Sequence, residues 1–189
     1  MIQANMTVDA KGLSCPMPIV RTKKAINELQ PGQVLEVEAT DKGSKADIKA
    51  WAESTGHQYL GTIEEGNVLK HYIRKASENE AKEELEFPNV VSNEELLIKL
   101  NEAGVMILDV REQAEYAFGH IPGAISIPLG ELEQRMEELS KEHHIYVVCR
   151  TGSRSDLAAR KLAEQGFANV WNVMPGMSQW TGPLQKELP

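Results

Sequence analysis

The chain has only two cysteines, Cys15 and Cys149, in 189 residues. That excludes a disulfide framework, and in a reducing cytosol a structural bridge between the two is not expected. No stretch approaches the roughly 20 apolar residues that a bilayer-spanning helix needs, so no membrane association is expected. The opening MIQANMTVDAKG has neither a basic start nor an apolar core. It therefore reads as carrying no secretory signal, with the cytoplasm as the expected location. Positive charge is not in excess: 20 Lys and Arg stand against 28 Asp and Glu, for a net charge of -8. Direct nucleic-acid binding by the whole surface is not expected. Metal-ligand spacings, a Walker loop and a dinucleotide fingerprint are all missing, so no metal or other cofactor is expected. What remains is a chain that is 41% hydrophobic and 25% charged, the composition of a soluble globular protein.

Composition breaks at KASENEAKEELEFPN, where five Glu and one Lys fall between Ala76 and Pro88. This reads as a solvated acidic linker over 76–88, separating a domain at 1–75 from one at 89–189. Residues 1–75 hold 10 basic and 9 acidic side chains, whereas 76–189 hold 10 and 19. The acidity is therefore confined to the second half.

The first half reads as a two-layer βαβαββ sandwich, with two helices on one face of four strands. A short strand covers Met6 to Val8. Pro16 to Leu29 forms a helix, with proline in the first turn, where no N–H partner is lost. VLEVEAT alternates like a half-buried strand. SKADIKAWAESTG is a helix with Ser44 at its N-cap, and HQYLGTI and NVLKHYIR form a hairpin. The second half carries the continuous apolar runs VMIL and IYVV, which suit parallel strands covered on both faces. Helices are expected from Ser92, the start of a capping box with Glu95, and at Gln113–Phe118, Glu131–Leu139 and Ser155–Gln165. An α/β sandwich around a central parallel sheet follows.

Cys149 ends the run YVVC, and ligands gather at the carboxyl ends of parallel strands. The loop Arg150, Thr151, Gly152, Ser153, Arg154 then enters a helix. Such a loop can turn successive N–H groups inward, and with the helix N-terminus they form a cradle for an anion. Arg150 and Arg154 would add positive charge, and the thiol is expected to ionise readily. The alternative is a buried cysteine beside surface arginines. Cysteine phosphatases place an arginine six positions after the cysteine. Here Ser155 holds that place and Arg154 comes one earlier, so the cradle better suits sulfur than phosphate. Cys15, in LSCPMP, is expected at the N-cap of the first helix, where the dipole would favour its thiolate. Pro16 and Pro18 stiffen the approach.

The motifs ILDVREQAEYAFGHIPGAISIPL, VVCRTGSRS and NVMPGMSQW together resemble a single-domain rhodanese over about 88–189. DAKGLSCPMPIVRTKKAINEL resembles the TusA/SirA-like sulfur carriers over about 5–75. The rhodanese resemblance implies a sulfurtransferase with Cys149 as the nucleophile that becomes a persulfide. Arg150 to Arg154 form its loop, and Asp109 and Arg111 support that loop. It leaves His120 to order a turn and Trp180 to pack. The TusA resemblance implies that Cys15 carries sulfur, with Arg21, Lys23 and Lys24 on a cationic flank. Jointly they imply a relay. A small donor such as thiosulfate loads Cys149, Cys15 takes the sulfur, and a protein thiol accepts it, through covalent persulfides alone. Transfer between two chains of a homodimer stays open. Two other readings remain: a non-catalytic sulfur-trafficking or partner-binding protein, and a cysteine phosphatase or arsenate reductase.

Overall fold

A computed structural model describes residues 1–77 and 85–189. Among the described residues the chain divides into two compact units, 1–77 with 188–189 and 85–187. The body of the expected acidic linker lies outside the described residues.

The first unit runs β1 (Met6–Ala10), α1 (Met17–Glu28), β2 (Val34–Ala39), α2 (Ser44–Ser54), β3 (Gln58–Glu65) and β4 (Val68–Arg74), the expected βαβαββ order. Its sheet has the strand order β1-β2-β4-β3. β1 and β2 are parallel, and the other pairings are antiparallel. Ala25 and Ile26 of α1, Leu29 just after it, and Ile48 and Ala52 of α2 meet Leu35, Val37 and Ile73 of the sheet in one buried cluster. The parallel β1–β2 pair has a consequence for the site. It sets the loops after Ala10 and Ala39 side by side, so that Gly12 N–H donates to Thr40 Oγ1 at 2.9 Å. Ser44 is not the N-cap expected of it; Gly43 holds that place. Ser44 is instead the first helical residue, and its hydroxyl donates to the Asp41 carbonyl at 2.6 Å.

The second unit runs β5 (Val90–Ser92), α3 (Asn93–Lys99), β6 (Val105–Asp109), α4 (Gln113–Phe118), β7 (Ile125–Ser126), α5 (Leu132–Arg135), β8 (His144–Val148), α6 (Ser153–Glu164) and β9 (Val170–Met174). The sheet order is β5-β9-β8-β6-β7, with every pairing parallel. β8 sits in the middle, and its side chains alternate between two apolar layers. Ile145 and Val147 join Leu108, Ala158 and Leu162 on one face. Tyr146 and Val148 join Leu96, Ile107 and Val173 on the other. That double coverage is why β6 and β8 are continuously apolar. Ser92 caps α3 in a full capping box with Glu95. The helix expected over Glu131–Leu139 is only the four-residue α5, flanked by 3-10 turns at Leu129–Glu131 and Met136–Glu138. The unit also begins earlier than 89. Phe87 is buried in the core, and the N–H groups of Glu86 and Phe87 both donate to Asp156 Oδ1, at 3.1 and 2.8 Å. An aromatic ring and a buried carboxylate thus draw the end of the supposed linker into the fold.

Candidate functional site

Cys149 follows β8 directly, at the carboxyl end of the central strand, and α6 starts four residues later. Its side chain is fully buried. One side of it belongs to the apolar cluster of Val147, Ala158 and Ala159. The other side is polar. Gly152 N–H donates to Sγ at 3.0 Å, and Ser155 Oγ lies 3.2 Å from Sγ. Ser155 has one proton and three acceptors within reach: Sγ, the Gly152 carbonyl at 3.0 Å and Asn172 Oδ1 at 2.6 Å. The amide of Asn172, also fully buried, closes the circuit by donating to the same carbonyl at 3.1 Å. Gly152 bends the loop with φ +102°, a left-handed conformation that a Cβ makes costly. It is the N-cap of α6. The amides of Ser153, Arg154 and Ser155 in the first turn therefore have no intrahelical acceptor.

The loop is backed by buried charge. Asp109, at the end of β6, holds Arg111 through both carboxylate oxygens: Nε at 2.9 and 3.1 Å and Nη2 at 2.6 Å. Asp109 also accepts the Arg111 main-chain N–H at 3.1 Å. Arg111 Nη2 reaches on to the Gly119 carbonyl at 2.8 Å. Burial alone would push the Arg111 guanidinium down. Asp109 outweighs that and holds it above its ordinary value, with Glu115 adding to and Arg154 opposing the effect. The expectation that Arg154 lends its full charge to the cradle is not met. Its Nη1 and Nη2 bind Glu115 at 2.8 and 3.0 Å, and that carboxylate is completely enclosed. Arg150, Thr151 and Ser153 lie in the loop, Ser153 being buried and the other two half-buried.

The segment after β9 packs on the loop. Met177 and Ser178 N–H donate to the carbonyls of Cys149 and Arg150 at 2.8 and 2.9 Å. A Cβ at Gly176 would meet the Cys149 carbonyl at 2.5 Å. Asn93 clamps Gly176 by accepting its N–H at 3.1 Å and donating to its carbonyl at 2.9 Å. His120 orders its turn: Nδ1 donates to the Tyr116 carbonyl at 2.8 Å, and the two rings stack at 3.6 Å. Trp180 packs against the second apolar layer.

Cys15 is exposed and lies one residue before the N-cap of α1, which is Pro16. The first turn offers few donors, because Pro16 and Pro18 have none and Met17 N–H is taken by the Ser14 carbonyl at 3.0 Å. The Cys15 N–H itself donates to Asp41 Oδ2 at 3.3 Å. The expected thiolate stabilisation is reversed. A hydrogen bond to the Asp47 carboxylate, then partial desolvation, then the charges of Asp47 and Asp41 all push the Cys15 thiol up. Arg21, on the expected cationic flank, donates to the Asp9 carbonyl at 2.6 Å. The Asp47→Asn variant removes the charged acceptor, so Cys15 should ionise at lower pH than in the wild type. The pH profile of iodoacetamide alkylation, read on the Cys15 peptide by mass, should move toward acid. An unmoved profile would show that Asp47 does not control the thiol.

The family description Sulfurtransferase TusA matches residues 6–75, and Rhodanese-like domain matches residues 92–183. "Putative sulfur carrier protein YrkF" of Bacillus subtilis (strain 168) is 51% identical over 186 residues, 98% of this chain and 100% of its own length. The chain belongs to the TusA–rhodanese family of sulfur carriers and sulfurtransferases. "Sulfur carrier protein TusA" of Allochromatium vinosum is 43% identical over 76 residues, 40% of this chain and 100% of its own. A crystal structure of a rhodanese-like domain protein from Staphylococcus aureus is 32% identical, covers 53% of this chain and 99% of that one, and has a TM-score of 0.49. Among the described residues no helix is long and apolar enough to cross a membrane.

In the rhodanese domain, sequence reasoning missed Glu115, Ser155, Asn172 and Asn93. Ser155 could have been found, because the third residue of a helix that starts just after a loop faces back toward that loop. The others come from elements distant in sequence. In the TusA domain it missed Asp41 and Asp47. Their signal was the parallel β1–β2 pair, which brings Asp41, in the loop after β2, and Asp47, in the first turn of α2, toward the thiol.

Proposed function

We propose that the protein moves sulfane sulfur through two cysteine persulfides, with Cys149 as the point of uptake and Cys15 as the carrier. The observation that carries this reading is the Gly152 N–H directed at Cys149 Sγ, at 3.0 Å, in a loop that opens into the N-terminus of α6. Main-chain donors and a helix dipole stabilise a sulfur anion there. Cys149 attacks the outer sulfur of a sulfane donor, for which thiosulfate is a simple example, and the donor's remainder leaves with the bond's electron pair. This is covalent nucleophilic catalysis. Asp109, Arg111, Glu115 and Arg154 act by holding the loop.

Cys15 then attacks the outer sulfur of the Cys149 persulfide, within a chain or between two chains. A short tether raises its effective concentration toward the mM range. Asp47 accepts the thiol proton as the attack begins. A raised thiol pKa leaves less thiolate but makes that thiolate the stronger nucleophile, which suits an acceptor. A protein thiol takes the sulfur onward. With thiosulfate as donor, Cys149→Ser should leave both cysteines unloaded, whereas Cys15→Ser should still load Cys149, as read by intact and peptide mass. Sulfur on Cys15 in the Cys149→Ser protein would reverse or abolish the proposed order.

A further inference from the structure

We propose that the uptake site is built for hydropersulfide donors, R–S–SH, in preference to the thiosulfate dianion. This rests on the reading of Cys149 as the uptake cysteine, and it concerns the charge held around that residue. The loop carries two arginines. Arg154 is committed to Glu115 through two hydrogen bonds, at 2.8 and 3.0 Å. Arg111 is committed to Asp109. The two buried pairs cancel, so neither Arg154 nor Arg111 lends net charge to the site. The nearest main-chain donor, Gly152 N–H, is already used by Cys149 Sγ. The first-turn amides of α6 remain for a second anion.

The two donors ask very different things of such a pocket. With thiosulfate, Cys–S⁻ and S–SO₃²⁻ give Cys–S–S⁻ and SO₃²⁻. The Cys149 Sγ–S bond forms, the S–S bond of thiosulfate breaks, and sulfite leaves with the electron pair. Three negative charges are gathered on both sides of that step. With a hydropersulfide, Cys–S⁻ and R–S–SH give Cys–S–SH and R–S⁻. The same kind of bond forms and breaks, the proton stays on the outer sulfur, and no oxidant or reductant enters. One negative charge is gathered. Like charges at contact distance repel strongly in a partly desolvated site, and Arg154, neutralised by Glu115, offers little against it. The group R needs no anion cradle, only a thiolate leaving group.

The test compares cysteine hydropersulfide with thiosulfate on the full chain, scoring the gain of one sulfur on the Cys149 peptide in single-turnover time courses. The expected second-order rate constant for the hydropersulfide exceeds that for thiosulfate by about a hundredfold or more. In Glu115→Gln, Arg154 keeps a hydrogen-bond acceptor but regains its charge, so the ratio should narrow by about tenfold through a faster thiosulfate rate. Thiosulfate loading as fast as the hydropersulfide overturns this inference and leaves the uptake role of Cys149 standing. A large ratio that Glu115→Gln does not narrow also overturns it, because the selectivity then has another source. Failure of both donors to load Cys149 removes the underlying reading and the inference with it. Should Glu115→Gln fail to fold by circular dichroism, the wild-type ratio decides alone.

Discussion

Asp109→Ala should lower the melting temperature of the rhodanese domain by more than about 12 °C. The carboxylate is 1% exposed, and the Arg111 side chain it neutralises is 7% exposed. The change deletes four hydrogen bonds to Arg111, three from the guanidinium and one from its main chain. It leaves a buried cation with the Gly119 carbonyl. Removing one partner of a buried ion pair costs about 3–5 kcal/mol, far more than the intact pair contributes over an apolar replacement. In a domain of this size, 1 kcal/mol moves the melting temperature by roughly 4–8 °C. Asp109→Asn keeps the shape and one acceptor, so it should fall between the wild type and alanine. Calorimetry of the full chain checks this. A shift under about 4 °C would show that Arg111 finds other compensation.

The second large effect is functional. Gly152→Ala should reduce sulfur loading of Cys149 by about a hundredfold, the scale on which one preorganised donor to a developing anion is lost. Two causes act together. A Cβ at φ +102° would lie 1.9 Å from Met174 Sδ, and the left-handed backbone itself is strained for alanine, by about 1–3 kcal/mol. Met174 can swing away, but the backbone has no such freedom without turning Gly152 N–H from Cys149 Sγ. Loading is read as sulfur on the Cys149 peptide, and far-UV circular dichroism reports whether the fold survives. A folded variant that loads at the wild-type rate would show that this N–H is dispensable.

Gly152 was legible in the sequence because its role is local: it stands between Cys149 and the start of α6. Asp109 and Arg111 were assigned to the loop through the rhodanese resemblance. The alternating and continuous apolar runs likewise revealed β2, β6 and β8, because burial on one or both faces writes itself into composition. β5 and β7 were not read, because two or three residues carry too little periodicity, and β9 was not read because the polar Asn172 interrupts its apolar run. The Glu115–Arg154 pair spans 39 positions and Ser155–Asn172 spans 17, so only folding brings them together. The pKa direction at Cys15 was read wrongly for that reason. The helix N-terminus was visible in the sequence, whereas the two aspartates that oppose it arrive from the loop after β2 and the first turn of α2. The charge of Arg154 was misjudged in the same way, since its acceptor lies on α4.

The order of sulfur movement is the account's central claim, and a single-turnover time course on the wild-type chain tests it most directly. Substoichiometric donor is mixed with reduced protein, quenched at intervals with an alkylating agent, and the peptides holding Cys149 and Cys15 are weighed. Sulfur should appear first on the Cys149 peptide and then decline there as it rises on the Cys15 peptide. Sulfur that arrives first on Cys15, or that accumulates on Cys149 and never leaves, would contradict the account.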